Sequence, residues 1–263
     1  MTVARSVVFQ SYRTHDVPAW IQRCQASVKQ WAGSHGHDYR FLGDEFLELA
    51  PAWYRAKAGD QLCPITDLSR LLYARQLLAQ GYDLAIWIDA DMLVFRPDEL
   101  ILSLPQGFAF TREVWTGLDR TGHMVTSVRV NNSITLFARN NQHLDFFIDA
   151  CLRIARASPR LGKLDVGTHF LTGLRAILPF PLVRGVATLG PMLLRNIARG
   201  ESRDLEIHAR TQGHRVVCAN LCASMEGDGQ IATRPTYDKV IERLLESRGG
   251  VLNRYLANPV GVT

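Results

Sequence analysis

The chain has 263 residues, of which 47% are hydrophobic and 21% are charged, a composition typical of a globular protein that buries a sizeable core. Its formal net charge of +5 comes from arginines scattered along the chain, which favours anionic small molecules, leaves peripheral contact with the inner face of a membrane open, and argues against nucleic acid. Five cysteines without regular spacing argue against a disulfide framework, and no stretch approaches the roughly 18 apolar residues of a membrane span, so we expect a cytoplasmic protein.

Strand and helix patterns alternate in the first third of the chain. They predict a strand over residues 3–9 that runs into a polar loop at Gln10-Ser11-Tyr12-Arg13, a helix over 18–31, a strand over 39–42 that ends at Gly43-Asp44, and a helix that opens at Ile65-Thr66-Asp67 and ends before Gly81. Such an alternation builds parallel sheets, so we predict an α/β fold with a central, mainly parallel sheet flanked by helices.

The run from Leu84 to Phe95 contains two acids, Asp89 and Asp91, in an otherwise apolar segment. It predicts a strand that is buried on both faces. Charge at the end of such a strand is costly unless an opposite charge meets it, and a divalent cation that carries phosphate oxygens would do so. We therefore interpret Asp89-Ala90-Asp91 as a metal-diphosphate site, with a pair of turn or capping aspartates as the alternative.

The pattern becomes less regular after Pro97. Strands are predicted at 107–110 and 133–137, joined by a long polar stretch through Gly117 and His123 that we interpret as an acceptor or lid loop. Helices are predicted at 144–156, at 166–177 and at 236–256 with an interruption at Gly249-Gly250.

These motifs together resemble GT-A fold glycosyltransferases of the D-x-D type. The resemblance is to the capsular and mannosyl sugar-transferase branch, in which an Asp-x-x-Arg helix precedes the acidic strand; here Asp67 and Arg70 stand in that position. Residues three apart share one helix face, so this pair would present an acceptor and a fixed cation to the donor sugar and its phosphates. The alternative is an exposed ion pair within the helix.

The resemblance implies one Rossmann-like GT-A domain over 1–263, with a nucleotide-binding half at 1–100 and an acceptor-binding half at 101–263 that includes the C-terminal helix. It implies further site residues, each with a structural alternative: Gln10, Ser11, Tyr12 and Asp44 around the nucleobase and ribose, Asn132 rather than Asn131 at the donor sugar or acceptor, Asp165 and His169 beneath the acceptor, and His214 rather than His208 in the metal shell. The alternatives are a Tyr12 that packs against Trp20, a turn asparagine, an Asp165 that caps a helix, and solvated histidines.

The expected function is metal-dependent transfer of a hexose from a UDP- or GDP-sugar to a hydroxyl of a glycan, lipid-linked or protein acceptor, with Mn²⁺ or Mg²⁺ as the ion. Asp89 and Asp91 would hold the ion, Arg70 would steady the phosphates, and Asp67 with Asn132 would orient the sugar. The sequence offers no evident general base, which favours a retaining reaction. The alternatives are a haloacid-dehalogenase-type phosphohydrolase with Asp89 as nucleophile, and a carbohydrate-binding module without turnover.

Overall fold

The computed structural model describes residues 5–227 and 232–256; the start of the strand predicted at 3–9 lies outside these ranges. The strands are β1 (Ser6–Ser11), β2 (Asp38–Leu42), β3 (Leu84–Ile88), β4 (Met92–Val94), β5 (Phe108–Leu118), β6 (Met124–Ala138), β7 (Leu182–Val183), β8 (Val186–Thr188) and β9 (Cys218–Asn220). The α-helices are α1 (Ala19–Ser34), α2 (Ala52–Ala58), α3 (Leu62–Ala79), α4 (His143–Ala157), α5 (Phe170–Ile177), α6 (Pro191–Arg199), α7 (Arg203–Gln212), α8 (Arg234–Glu246) and α9 (Gly250–Asn253).

The main sheet has the strand order β2-β1-β3-β6-β5-β7. β1 pairs in parallel with both β2 and β3, and β7 joins β5 in parallel, whereas β6 is antiparallel to its two neighbours. The helical connections β1-α1-β2 and β2-α3-β3 account for the parallel half, because parallel neighbours need a crossover. The predicted α/β fold with a central, mostly parallel sheet is thus confirmed.

Alternation along the strands divides the core between the two faces of this sheet. Phe9 and Trp87 point into the cluster that includes α3 and α4, whereas Val8 and Ile86 point into the cluster that includes α1. All four side chains are buried, which explains why the sequence around them is continuously apolar. Asp89 is therefore the first polar residue after β3, and it comes where the chain leaves the sheet.

A second, three-stranded sheet follows directly, with the order β4-β9-β8. β4 begins at Met92, so the turn that contains Asp89 and Asp91 carries the chain from the first sheet to the second. The second sheet packs over α1, α6 and α8, where the rings of Trp20 and Tyr237 stack with centroids 4.0 Å apart. The two acids thus lie at the junction of the two sheets.

The loop predicted through Gly117 and His123 is wrong in its extent. β5 continues to Leu118 and β6 begins at Met124, and the two strands form an antiparallel hairpin. Only residues 119–123 form the turn, in which the Asp119 carboxylate accepts hydrogen bonds from the backbone N–H groups of Thr121 and His123. One face of this hairpin borders a cavity, so its polar residues resemble a loop in sequence although the backbone is extended.

Smaller differences concern where elements begin and end. β1 extends to Ser11, so Gln10 and Ser11 belong to a strand and not to the predicted loop. α3 begins at Leu62, three residues earlier than predicted, which places Asp67 in its second turn.

Among the described residues, no helix combines the length and the apolar character needed to cross a bilayer.

Candidate active site

A cavity of about 640 Å³ opens at the carboxyl ends of β1 and β3. Its walls come from stretches far apart in sequence: the end of β1, the turn after β3, the inner face of the β5–β6 hairpin, the segment 163–168, and the end of β9. Its volume lies within the range of pockets that hold ligands of drug or cofactor size. The carboxyl edge of the strands is also where open α/β sheets bind their ligands.

A buried ion network forms the floor of this cavity. Arg70 on α3 reaches Asp67 with Nη2 to Oδ1 at 3.1 Å, and Asp89 with Nη1 to Oδ1 at 3.4 Å. The Asp67 and Arg70 side chains are only 7% and 6% exposed, so the pair is buried and the alternative of an exposed intrahelical ion pair is wrong. Arg70 also donates to the backbone carbonyls of Thr66 and Asn132, so its guanidinium is directed largely at acceptors of the protein itself.

Asp89 is held on three sides by groups of the fold. The Trp87 indole donates to Asp89 Oδ1 at 2.6 Å, and the Gln10 amide donates to the Asp89 carbonyl at 2.9 Å. Gln10 in turn accepts from the Tyr39 hydroxyl at 2.8 Å. Gln10 is fully buried and is not among the cavity-lining residues. The expectation that Gln10 lies around the nucleobase is therefore corrected. Gln10 lies behind the acidic turn, and its hydrogen bond to the Asp89 carbonyl fixes the backbone of that turn.

Asn220, at the end of β9, joins the two acids. Its amide nitrogen lies 3.2 Å from Asp89 Oδ2 and 3.2 Å from Asp91 Oδ1. Its oxygen accepts the backbone N–H of Cys222 at 2.8 Å, which fixes the orientation of the amide. Asp91 Oδ2 accepts the backbone N–H of Ala223 at 2.6 Å. Both acids are thus held in place by donors and face the cavity.

Arg70 pairs with Asp67 and Asp89, whereas Asp91 is held by Asn220 and the Ala223 N–H, so three carboxylates and one paired guanidinium leave an excess of negative charge at this part of the cavity wall. Burial raises the pKa of Asp67 to about 6, and burial together with the charge of Asp89 raises the pKa of Asp91 to about 7. Burial also raises the pKa of Asp89, against the opposing effect of Arg70. A bound cation would relieve this unfavourable charge.

The donor set suits Mg²⁺ or Mn²⁺ shared with a diphosphate. Asp89 and Asp91 supply carboxylate oxygens, and no group of three or more His, Cys, Asp or Glu residues that could hold a metal occurs in the described part of the chain. An ion bound by one or two carboxylates takes its remaining ligands from substrate phosphates and water, as Mg²⁺ commonly does. The residues present fit such an ion better than an all-protein metal cage.

The structure does not bring His214 to the acids. It lies outside the cavity lining, and its pKa is lowered by burial and by Arg184 and Arg112. His208 is buried on α7, where its Nδ1 lies 3.0 Å from the Thr116 hydroxyl. The expectation that His214 is a metal ligand is thus corrected. The strand that follows it, β9, contacts the acids through its last residue, Asn220, and His214 lies before the other end of that strand.

Asp165 is the third expected site residue that the structure does not bring to the cavity, and His169 does not line it either. The Asp165 carboxylate accepts the Gly162 N–H at 2.7 Å and lies 3.8 Å from His169, while its neighbours Leu164 and Thr168 line the cavity. Asp165 does not cap a helix either, because it is the first residue of a π-helical turn at Asp165–His169 and its carboxylate bonds to Gly162, which precedes that turn.

The remaining expected residues do line the cavity: Ser11, Tyr12, Asp44, Asp67, Arg70, Asp89, Ala90, Asp91 and Asn132. Asn132 donates from its amide to Asp67 Oδ1 at 2.8 Å, and Asn131 also borders the cavity. Tyr12 satisfies both alternatives, since it lines the cavity and packs against the cluster that contains Trp20.

Sequence reasoning missed several residues of this cavity, above all Glu113, Trp115, Arg129 and Lys163. The signal that could have identified a strand here is its content of β-branched and aromatic residues, namely Thr111, Val114, Trp115 and Thr116.

Gly167 permits the close approach of Asp67 and Asn132, and replacing it tests the network. A Cβ atom there would lie 2.5 Å from Asp67 Oδ2 and 3.3 Å from Asn132 Nδ2. Gly167→Ala should therefore displace Asp67 from Arg70 and lower the kcat of the reaction catalysed at this site by roughly 10-fold or more, since small misplacements of positioning groups are costly.

Gly173→Ala is the matched control for this prediction. Gly173 lies on the exposed side of α5 and an added Cβ meets nothing within 4 Å, so the variant should keep its activity and gain about 0.5–1 kcal/mol of stability. Equal kcat values for the two variants would show that Asp67 does not need its observed position.

Comparison with known proteins gives matches in structure only. No family model and no curated protein matches the sequence. A glycosyltransferase involved in the glycosylation of the major capsid of PBCV-1 aligns over 90% of this chain and 99% of its own, with 8% identity and a TM-score of 0.50. Apo mouse xyloside xylosyltransferase 1 aligns over 84% of this chain and 99% of its own, with 11% identity and a TM-score of 0.46.

A third structure is a mutant Drosophila β-1,4-galactosyltransferase 7 in complex with manganese, UDP-Gal and xylobiose. It aligns over 63% of this chain and 70% of its own, with 11% identity and a TM-score of 0.29. Identities this low speak to the fold and not to the reaction. On the match to the PBCV-1 capsid glycosyltransferase, the chain has a glycosyltransferase fold.

Proposed function

We propose that the protein is a metal-dependent glycosyltransferase that moves a hexose from a nucleoside-diphosphate sugar to a hydroxyl acceptor. The observation that carries this proposal is the group of three carboxylates Asp67, Asp89 and Asp91, of which Arg70 pairs with the first two, at the wall of a cavity at the carboxyl edge of the sheet. Buried carboxylates in excess of their cations are costly unless a ligand of opposite charge completes them.

The position of each side chain in the site suggests its role. Asp89 and Asp91, held by Trp87 and Asn220, would bind the ion that is shared with the donor diphosphate. A divalent ion held there would supply positive charge against the phosphates and the departing diphosphate. Arg70 acts mainly through the protein, because its ion pairs hold Asp89 and Asp67 in place.

The end of β1, which lies beside the acidic turn because β1 pairs in parallel with β3, suits the nucleoside. Ser11 ends β1, Tyr12 follows it and Asp44 follows β2, and all three border the cavity. An aromatic ring beside a hydroxyl and a carboxylate offers stacking for a base and hydrogen-bond acceptors for ribose hydroxyls. Asp67 and Asn132, which share a hydrogen bond of 2.8 Å, lie with the acids and are proposed to orient the donor sugar.

The phosphohydrolase alternative is not favoured. The solved structure that matches this chain over 90% of its length is a glycosyltransferase, which supports sugar transfer over hydrolysis through an aspartyl nucleophile. A carbohydrate-binding module without turnover is distinguished by the experiment below.

Isothermal titration with UDP and with GDP, each with Mn²⁺ or with EDTA, tests the proposal. We expect one nucleotide to bind with Mn²⁺ and to lose most of its affinity in EDTA, because the ion carries the contact to the diphosphate. Nucleotide-sugar screening should then show metal-dependent consumption of the matching donor. Binding that is equal in EDTA would contradict the metal role, and binding without consumption of any donor would favour a binding module.

The expectation of retention depended on the lack of a general base. Glu113 removes that premise, because it is a buried carboxylate at the wall of the same cavity. The stereochemical course therefore depends on what Glu113 does.

A further inference from the structure

The inner face of the β5–β6 hairpin carries a set of side chains with no part in holding the diphosphate. Glu113 lies opposite Arg129, and Thr111 lies opposite Asn131, in the antiparallel register. Residues two apart on a strand share a face, so Trp115 joins Glu113, Arg129 and Asn131 on one side of the hairpin. All four line the cavity.

Two glycines, Gly117 and Gly190, leave the space that the indole of Trp115 occupies. A Cβ atom on Gly190 would lie 3.1 Å from Trp115 Cη2, and one on Gly117 would lie 3.3 Å from its Nε1. The Arg129 guanidinium lies 5.5 Å from the centre of the ring. The indole remains partly exposed in the cavity. An exposed indole face beside polar groups suits a sugar ring, because the polarised C–H groups of one sugar face meet the negative face of the aromatic ring.

Glu113 presents a carboxylate next to this ring. The residue is only 4% exposed, and within residues 5–227 and 232–256 the hydrogen bond recorded for its carboxylate comes from Asn131 Nδ2 at 2.9 Å. Burial raises its pKa, and the charge of Arg129 opposes that shift. A buried carboxylate with an elevated pKa is better matched to proton transfer near neutral pH than a solvated one.

Hydrogen bonds connect Glu113 with the acidic turn. The Asp89 backbone N–H donates to the Ser133 carbonyl at 2.8 Å, and the Ser133 backbone N–H donates to Asn131 Oδ1 at 2.6 Å. Asn131 Nδ2 donates in turn to the Glu113 carboxylate at 2.9 Å, so Asn131 and Ser133 on β6 link Glu113 to Asp89. A hydroxyl bound at Glu113 would face the donor from the hairpin side.

We propose that Glu113 is the base that deprotonates the acceptor hydroxyl, and that the acceptor is a sugar stacked on Trp115. This inference rests on the proposed function and assigns its acceptor class and base. The hydroxyl oxygen bonds to the anomeric carbon, the bond from that carbon to the diphosphate oxygen breaks with its electron pair leaving on the diphosphate, and the proton passes to Glu113. A single displacement of this kind inverts the anomeric configuration, which replaces the expectation of retention.

Three variants and two matched controls test the assignment with the donor found by screening. Acceptors are methyl glycosides of the common hexoses and of xylose, a Ser/Thr peptide, and phosphatidylglycerol vesicles. Glu113→Gln should lower kcat by about 10²–10⁴-fold, the usual contribution of general base catalysis, with Glu113→Asp intermediate. Trp115→Ala should raise the acceptor KM by roughly 10-fold through lost stacking, and the product anomer should be inverted by NMR.

The controls are Glu206→Gln, an exposed carboxylate paired with Arg210, and Trp53→Ala, a surface indole near Arg156. Both should leave kcat and KM unchanged. All variants should keep wild-type affinity for the nucleotide with Mn²⁺, which also shows that they fold.

Outcomes separate this assignment from the proposed function. Wild-type kcat in Glu113→Gln, a retained anomer, or transfer to the peptide or vesicles with no effect of Trp115→Ala would overturn the assignment while leaving metal-dependent transfer intact. Absence of metal-dependent nucleotide binding in the unmutated protein would reject the proposed function, and the assignment with it.

Discussion

Asp91→Asn is expected to lose metal-dependent nucleotide binding and to lower kcat/KM for sugar transfer by about 10³-fold. That loss corresponds to about 4 kcal/mol, within the several kcal/mol that a bound metal ion contributes to charge stabilisation. Asparagine preserves the size of the side chain and can still accept the Ala223 N–H, which the aspartate accepts at 2.6 Å. Nucleotide titration with Mn²⁺ and steady-state kinetics measure both effects.

The same variant should change how stability depends on pH. Burial and Asp89 raise the pKa of Asp91 to about 7 in the folded protein, whereas an unfolded aspartate has a pKa of about 3.9. The folded state therefore holds the proton more tightly, so the metal-free protein loses stability as the pH rises from about 4 to about 7. Mn²⁺ should reverse this loss in the wild type above pH 7.

Thermal unfolding in EDTA across that pH range checks the prediction. Asp91→Asn should show a flatter pH dependence and no stabilisation by Mn²⁺. Asp149→Asn is a matched control, because Asp149 is an exposed partner of Arg153 on α4. An equal pH dependence in all three proteins would contradict a buried, unfavourable charge at Asp91.

Local patterns in the sequence were sufficient for much of the fold and for the centre of the site. The continuous apolar run predicted β3 because both faces of that strand are covered. The spacing of three between Asp67 and Arg70 predicted a shared helix face, and their ion pair at 3.1 Å lies on that face. In both cases the information lies within one element, where strand and helix periods apply directly.

The rest of the site depends on contacts between distant segments. Asn220 meets Asp91 only because β9 pairs with β4, and Gly167 approaches Asp67 from a π-helical turn about a hundred residues later in the chain. The periods of strands and helices apply within one element and do not predict contacts between segments so far apart in sequence. The resemblance implies a late histidine in the metal shell, and His214 adjoins the apolar run that ends at Asn220, but the structure places the Asn220 amide itself against the acids.

Glu113 and Trp115 were missed for a different reason. Their strand borders a polar cavity on one face and carries the hydrogen-bonded Arg112 and Thr116 on the other, so residues 111–118 show no alternation of polar and apolar residues, and the segment resembled a loop that follows a short strand. Pairing of β5 with β6 over Thr111–Leu118 and Met124–Asn131 establishes the hairpin. A sheet face that lines a polar cavity carries polar residues, as a solvent-exposed segment does. The sequence pattern alone therefore does not distinguish the two.

Arg70→Met is expected to cause the largest loss of stability among these variants. Methionine retains the apolar stem but leaves Asp67 and Asp89 without the guanidinium that lies 3.1 and 3.4 Å from them. Breaking a buried ion pair from one side costs about 3–5 kcal/mol, which lowers Tm by roughly 10 °C in a protein of this size. Thermal and urea unfolding at pH 8 in EDTA measure the loss.

A double-mutant cycle with Asp67→Asn separates charge from packing. If the uncompensated charge causes the loss, adding Asp67→Asn to Arg70→Met should restore about 1–2 kcal/mol, because one of the two orphaned carboxylates is removed. Acidification should also reduce the loss, since the pKa of Asp67, already raised to about 6 by burial, rises further without Arg70, and protonation then removes the unpaired charge. A loss that is additive with Asp67→Asn and equal at pH 5 and pH 8 would instead mean that Arg70 stabilises the fold through its contacts with Trp87, whose ring centre lies 4.7 Å from its guanidinium.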